Sequence, residues 1–275
     1  MQQTPPILTD LAALARNRAR ATDPFLQAEA VADVQERLTE VNRSFTAPAI
    51  VTPFSQVWRN SFRLAKVVGD EDRLDLTPGA HDLVVHALGL HWANDPVGQL
   101  AQCRRALAPD GLLIAMLFGG QTLHELRSAL GQAEAEVTGG LSPRVVPMAE
   151  IRDLGGLLGR VGLALPVADA FTRRVMYRDM FHLMHDLRAM GEGNALAARL
   201  RVPTKRAVMT RASEIYRESY GVDGLIPASF EVICLTGWAA HASQQRPLRP
   251  GSAVQRLADA LNTAERTAPR STKGS

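Results

Sequence analysis

The sequence predicts an α/β fold built on a mostly parallel sheet, and three features carry that expectation. Residues 81–88 (HDLVVHAL) and 112–118 (LLIAMLF) are apolar runs of strand length. Between them, Asn94-Asp95-Pro96 has the form of a helix start, and Val97, Leu100, Ala101 and Leu107 recur at helical spacing. Pro109-Asp110-Gly111 then turns the chain into the second run. Strand, helix and strand at this spacing make a βαβ unit, whose crossover is parallel and right-handed.

The other elements follow in order. Residues 24–41 read as an amphipathic helix capped by Asp23, with Leu26, Ala30, Val34, Leu38 and Val41 on one face. The apolar run 47–52 is a buried strand stopped by Pro53, and 62–68 is a second strand ending at Gly69. Beyond Gly119-Gly120, helices are expected over 122–137 and 148–161, a strand over 165–176, helices near 179–190 and 203–220, a strand over 230–235 and a last helix near 252–263. The expected organisation is a single domain over 9–265. Its core comprises about 23–130, 147–176 and 226–240, a mainly helical lobe occupies about 178–222, and 1–8 and 266–275 are flexible termini.

Composition narrows the function. With 275 residues, 46% of them hydrophobic, the chain can bury a large core. No apolar run approaches the ~20 residues that span a bilayer, and the first residues lack the pattern of an export signal. Cys103 and Cys234 are the only cysteines, so neither a disulfide framework nor a thiolate zinc site is expected, and a cytoplasmic location fits. Net charge is +3, and all but three of the 31 basic residues are arginine. They are interspersed with acids and lack a series of stacking aromatics, so nucleic acid is not the expected partner. His182, His185 and Asp186 share a helix face, but a solvated face explains them better than a metal, and no metal site is expected. Residues 244–249 (QQRPLR) read as a solvated basic loop.

Glycine is distributed unevenly: the first of the 21 is Gly69. Nucleotide-binding α/β folds usually place a glycine-rich loop after their first strand, where a bare backbone approaches the ligand. Here that position holds Thr52-Pro53-Phe54. Only 29 positions, 53–81, then lie between Thr52 and Asp82. Two complete crossovers do not fit, since one βαβ unit takes ~30 residues. A shortened helix and the loss of one strand or crossover are expected.

The string DLVVHALGLHWANDPVGQLAQCRRALAPDGLLIAMLFGGQTLHELRSAL (82–130) resembles the fourth and fifth strands of class I S-adenosylmethionine (SAM) dependent methyltransferases. Within that class it is similar to the family, of the methyltransferase type 11 group, shared by the malonyl-carrier-protein methyltransferase of biotin synthesis and the mitochondrial complex I assembly factor that hydroxylates an arginine. Residues 139–166, 186–196 and 226–241 resemble the assembly factor. The resemblance implies a Rossmann-like methyltransferase sheet, here truncated in its first half, with a mainly helical C-terminal lobe. It implies SAM as cofactor, and the missing glycine loop argues against that cofactor. Asp70 and Glu71 correspond to the family's acidic position near adenine, and His86, Ala87 and Leu88 close the fourth strand beside it. His91, Trp92, Gly119, Gly120, Arg144, Glu192, Asn194 and Trp238 are the candidate contacts for a substrate or partner. No catalytic residue is assigned.

Three functions compete: a protein with a degraded SAM loop that acts on or binds a protein partner, for which the resemblance implies a respiratory complex I subunit; an active SAM-dependent methyltransferase on a small or carrier-bound acid; and a non-catalytic assembly factor that no longer binds SAM. If active, it transfers methyl groups or supports arginine hydroxylation. A peripheral position at the inner face of the membrane, reached through the partner, accompanies the first.

Overall fold

The structure, a computed structural model, describes residues 7–241. Helices α1 (Leu11–Ala19) and α2 (Phe25–Glu40) lead into β1 (Pro48–Val51), α3 (Ser55–Ser61), β2 (Lys66–Val68), β3 (His81–Ala87), α4 (Pro96–Ala106) and β4 (Leu107–Phe118). Then come α5 (His124–Thr138), α6 (Ile151–Arg160), β5 (Leu163–Tyr177), α7 (Met180–Ala189), α8 (Arg206–Tyr220) and β6 (Ile226–Ala239). The strands form one sheet in the order β2-β1-β3-β4-β6-β5. Strands β2, β1, β3 and β4 pair in parallel, and β6 runs antiparallel to both β4 and β5. The α/β sheet expected from the sequence is therefore present.

Alternation along the strands produces two apolar layers. Ile50, Leu83, Val85, Ile114 and Met116 face α2, α3, α5, α7 and α8, whereas Ala49, Val51, Val84, Leu113 and Leu117 face α4 and α6. Across the far edge, Arg37 of α2 makes a two-pronged ion pair with Asp169 of β5 at 2.8 and 2.6 Å. No helix among the described residues is long and apolar enough to cross a membrane.

The first half of the sheet is short, as the spacing predicts. β1 has four residues, α3 seven and β2 three, and residues 69–80 return to β3 without a helix or strand. Backbone groups that a further strand would satisfy find other partners. Gln99 Nε2 of α4 donates to the carbonyls of Asp70 and Glu71 at 2.9 and 3.2 Å. Gln102 donates to the Asp72 carbonyl at 2.8 Å and accepts from Leu74 N–H at 2.9 Å. Two glutamine side chains thus carry the polar accounting of a missing element.

Several local expectations need correction. Helix α2 begins after Pro24 without a side-chain cap, so Asp23 does not cap it. Asp95 caps α4, accepting from Gly98 N–H at 2.7 Å, but Asn94 does something else. Its Oδ1 accepts from Leu8 and Thr9 N–H at 3.0 and 2.9 Å, which anchors Leu8, the last residue of the stretch 1–8 expected to fray. The buried face of α4 is Gln99, Leu100, Cys103 and Ala106, with Ala101 exposed, because Gln99 has a buried polar partner that a purely apolar periodicity misses. The turn at 109–111 lies inside β4: Leu107 already pairs with His81, and the strand bulges through Asp110, at φ 62°, before pairing resumes at Leu112. Strands β2 and β6 are respectively shorter and longer than expected, β6 because it is clamped on both sides. The helix near 252–263, the loop 244–249 and residues 1–6 and 266–275 lie outside the described residues.

Candidate functional site

Two cavities adjoin the carboxyl ends of the parallel strands and share Trp92 as a wall. The first, about 740 Å³, lies at the ends of β1 and β2, lined by Thr52, Pro53, Val68, Asp70, Glu71 and Arg18 among others. The second, about 490 Å³, lies between the end of β4 and helices α5, α7 and α8. This is where an open α/β sheet places its ligands.

Around the first cavity, polar side chains are tied to one another. Asp70 accepts from Arg18 Nη1 at 2.9 Å, and its side chain is only 10% exposed. Glu71 is exposed at the rim. His86, fully buried at the end of β3, bonds through Nε2 to Gln99 Oε1 at 2.9 Å. Since the Gln99 amide nitrogen already donates to Asp70 and Glu71, its oxygen accepts here and His86 Nε2 carries the proton. His86 Nδ1 has no partner, and burial pushes the imidazole down to about 4, which keeps it neutral. His86 thus holds Gln99, and Gln99 holds the backbone that presents Asp70 and Glu71. Ala87 and Leu88 are buried beside it, Leu88 bonding Met116 O at 2.9 Å in a left-handed conformation.

The wall between the cavities is a second buried cluster. Glu192 Oε2 accepts from Trp92 Nε1 at 2.6 Å and from His91 Nε2 at 3.2 Å. The His91 ring also packs on Phe118, centroids 4.7 Å apart. Burial pushes the Glu192 carboxyl up. The nearby His91, the Arg18 guanidinium and the bonds donated by His91 and Trp92 outweigh it and hold the group below the ordinary glutamate range.

Arg144 and Asn194 lie on the outer side of the second cavity. Arg144 donates to Glu134 Oε1 and to Thr204 Oγ1, both at 2.6 Å, and Asn194 donates to Pro143 O at 2.9 Å. Together they fasten the strap 139–147 over the cavity. His91, Trp92, Glu192, Arg144 and Asn194 are therefore brought together, as are Asp70, Glu71 and His86.

Three candidates stand apart. Gly119 and Gly120 line neither cavity. A Cβ on Gly119 would strike the Glu231 carboxylate and Ile233, so glycine is needed there for close packing against β6. Trp238 pairs with Leu112, at the opposite end of β4 from Phe118, and stacks under Arg43 at 5.8 Å. Six residues of strand put it about 20 Å from the cavities. Sequence reasoning missed Gln99 and Arg18. Gln99 is 2% exposed on an otherwise apolar helix face, a polar interruption that was the available signal.

A six-stranded sheet of this order, with its polar and apolar cavities at the strand ends, defines a protein of the Rossmann-like methyltransferase fold. Comparison with known proteins agrees. Residues 26–115 match a family model described as a methyltransferase domain. The chain is homologous to the mitochondrial arginine-hydroxylase NDUFAF5 of Danio rerio, 40% identical over 194 residues, 70% of this chain and 60% of that protein. More distantly it is homologous to the malonyl-[acyl-carrier protein] O-methyltransferase of Laribacter hongkongensis, 35% identical over 187 residues, 68% and 61% of the two chains. Among solved structures, it is similar to Haemonchus contortus phosphoethanolamine N-methyltransferase 2, with a TM-score of 0.43 and 11% identity over 85% of this chain and 58% of that one. The chain thus spans about 60% of the length of the curated relatives it matches.

Proposed function

We propose that this methyltransferase-fold protein binds a protein partner, a respiratory complex I subunit, through the side bearing the second cavity, and that its SAM site is degraded. The observation that carries the reading is the end of β1. A SAM molecule laid across the strand ends would place its methionine part against residues 52–55. Pro53 has no N–H to offer, and Thr52 Oγ1 already accepts from Phe54 N–H at 3.1 Å. No residue between 48 and 68 has a positive φ, so the bare left-handed turn that admits a ligand to the backbone is replaced by side chains. Asp70, the acid nearest the expected adenine position, is committed to Arg18. SAM does not fit this end of the cavity.

The homology to an arginine-hydroxylase that is mitochondrial in animals supports the partner half of the reading. So do Arg144, Glu192 and Asn194, three polar residues converging on one cavity. The proposed location is the cytoplasm, at the inner face of the membrane through the partner. Calorimetric titration with SAM and S-adenosylhomocysteine tests the cofactor half. No saturable heat below millimolar concentration is expected, and sub-millimolar binding would return the protein to the active methyltransferases. Affinity capture of the tagged chain tests the other half: complex I subunits should co-purify, and their absence overturns the partner assignment.

A further inference from the structure

The second cavity presents a carboxylate with one oxygen that no protein group bonds. Its lining is mainly apolar, with Phe118, Leu126, Phe230 and the methionines Met148, Met184 and Met209 among the residues that face it. Methionine supplies a lining that adapts to different apolar shapes. Into this surface Glu192 presents a carboxylate. Oε2 is occupied by the donors of His91 and Trp92, while Oε1 takes no bond from the protein.

The charges close by add to the point. Arg18 is paired with Asp70 at 2.9 Å, so the cluster of Arg18, Asp70 and Glu192 has two carboxylates and one guanidinium. His91 Nε2 and Trp92 Nε1 both reach Oε2 and leave Oε1 open. Neither arginine that lines the cavity bonds Oε1. Arg144 is held by Glu134 and Thr204, and Arg188 is exposed and makes no ion pair with Glu192. A carboxylate oxygen that is open to the cavity and bonded to no protein group is a ready acceptor for a cationic donor.

We propose that this cavity binds an apolar small molecule bearing one cationic nitrogen, with the nitrogen against Glu192 Oε1 and the apolar body among the three methionines. Its volume of about 490 Å³ suits a whole small molecule and exceeds what one amino-acid side chain fills. The assignment goes beyond the reading above, which uses the same side of the molecule for a protein partner; no SAM titration bears on it, and the lysine derivative below separates the two.

The test is calorimetric titration of the full chain with n-octylammonium, n-octanol and n-octanoate, which share a tail and differ in head. Octylammonium should bind at least tenfold tighter than the other two. Glu192→Gln, nearly isosteric, should lower octylammonium affinity at least tenfold, to the octanol level, and leave octanol binding unchanged. Met209→Trp fills the cavity from α8 without touching the Glu192 cluster and should abolish binding of all three. A thermal melt accompanies each variant, so that lost binding is distinguished from lost folding. Equal affinity for octanol and octylammonium, or an unchanged affinity in folded Glu192→Gln, overturns the proposal. A lysine derivative with blocked termini separates a free amphiphile from a protein side chain. It should bind at least tenfold more weakly than octylammonium, and equal binding would overturn the small-molecule assignment.

Discussion

The two cavities sit on opposite sides of Trp92 and are built by opposite means. The first has Leu11, Leu14, Pro53, Val67 and Val68 in its lining and, beside them, polar side chains fixed by one another and by backbone: Arg18 to Asp70, and Gln99 to His86 and the 70–71 carbonyls. The second is walled by apolar side chains, with its polar groups at one end and along the strap. The difference teaches where the chain lost regular structure. Where β1, α3 and β2 are cut short, side-chain hydrogen bonds replace the ladder, and polar groups gather along that part of the wall. Where α5, α7 and α8 are full length, ridges of apolar residues shape the space instead.

Changes that strike one side and spare the other sharpen the contrast. The largest effect is expected from Trp58→Ala. Trp58 is fully buried in the shortest helix, donates to Gln27 Oε1 at 2.8 Å and stacks on Phe62 with centroids 5.8 Å apart. Its removal should cost about 4 kcal/mol in urea denaturation at neutral pH. A loss below about 1 kcal/mol would mean that the first half does not depend on its side-chain braces.

Acid is the next probe. His86 titrates near 4 in the folded chain and at about 6.5 when unfolded, so between those values only the unfolded chain takes the proton. The stability is present above about pH 6.5 and is lost as pH falls toward 4, by about 3 kcal/mol in total. Urea denaturation across that interval should show the decline, and His86→Gln, which keeps a donor and cannot titrate, should show a flatter profile. An equal slope in the variant would assign the acid sensitivity elsewhere.

The smallest effect belongs to the other side. Arg144→Ala removes the partner of Glu134, a carboxyl that burial raises and that Arg144 and Ser142 bring below its usual range. The pair is largely buried, so the loss should be about 2 kcal/mol. Hydrogen exchange should accelerate in 141–146 and stay unchanged in 70–74. Acceleration in both segments would erase the distinction between the two sides.

Much of the fold was legible because local signals agreed. In 81–118, strand-length apolar runs, an Asp-Pro helix start and a Pro-Asp-Gly turn all point to one βαβ unit, and α5 and α6 declare themselves by period. The shortened first half followed from counting positions. What could not be read was long-range pairing. Gln99 looks like a surface residue until His86, thirteen positions earlier, lies beside it, and Asn94 looks like a cap until Leu8 and Thr9 arrive. Glu192, between two glycines, belongs to no periodic pattern, and nothing local announces that His91 and Trp92 meet it from a hundred residues away. Trp238 lies in a well-matched string yet sits at the wrong end of a strand, because sequence similarity does not say which end of β6 faces the cavities.

The N-terminal segment is stitched to residues 193–199, which follow α7. Thr9 bridges Leu196, Asp10 N–H donates to Ala195 O at 2.8 Å, Asn17 donates to Gly193 O at 2.9 Å, and Asp10 pairs with Arg199 at 2.9 Å. During synthesis, residues 8–18 leave the ribosome well before 193–199 and do not have these partners until some 180 more residues have followed. The Trp92–Glu192 wall closes within the same late event, so neither cavity has its common boundary before then. A segment made early thus finds its place late, and a ribosome-stalled fragment ending before α7 should present α1 unanchored.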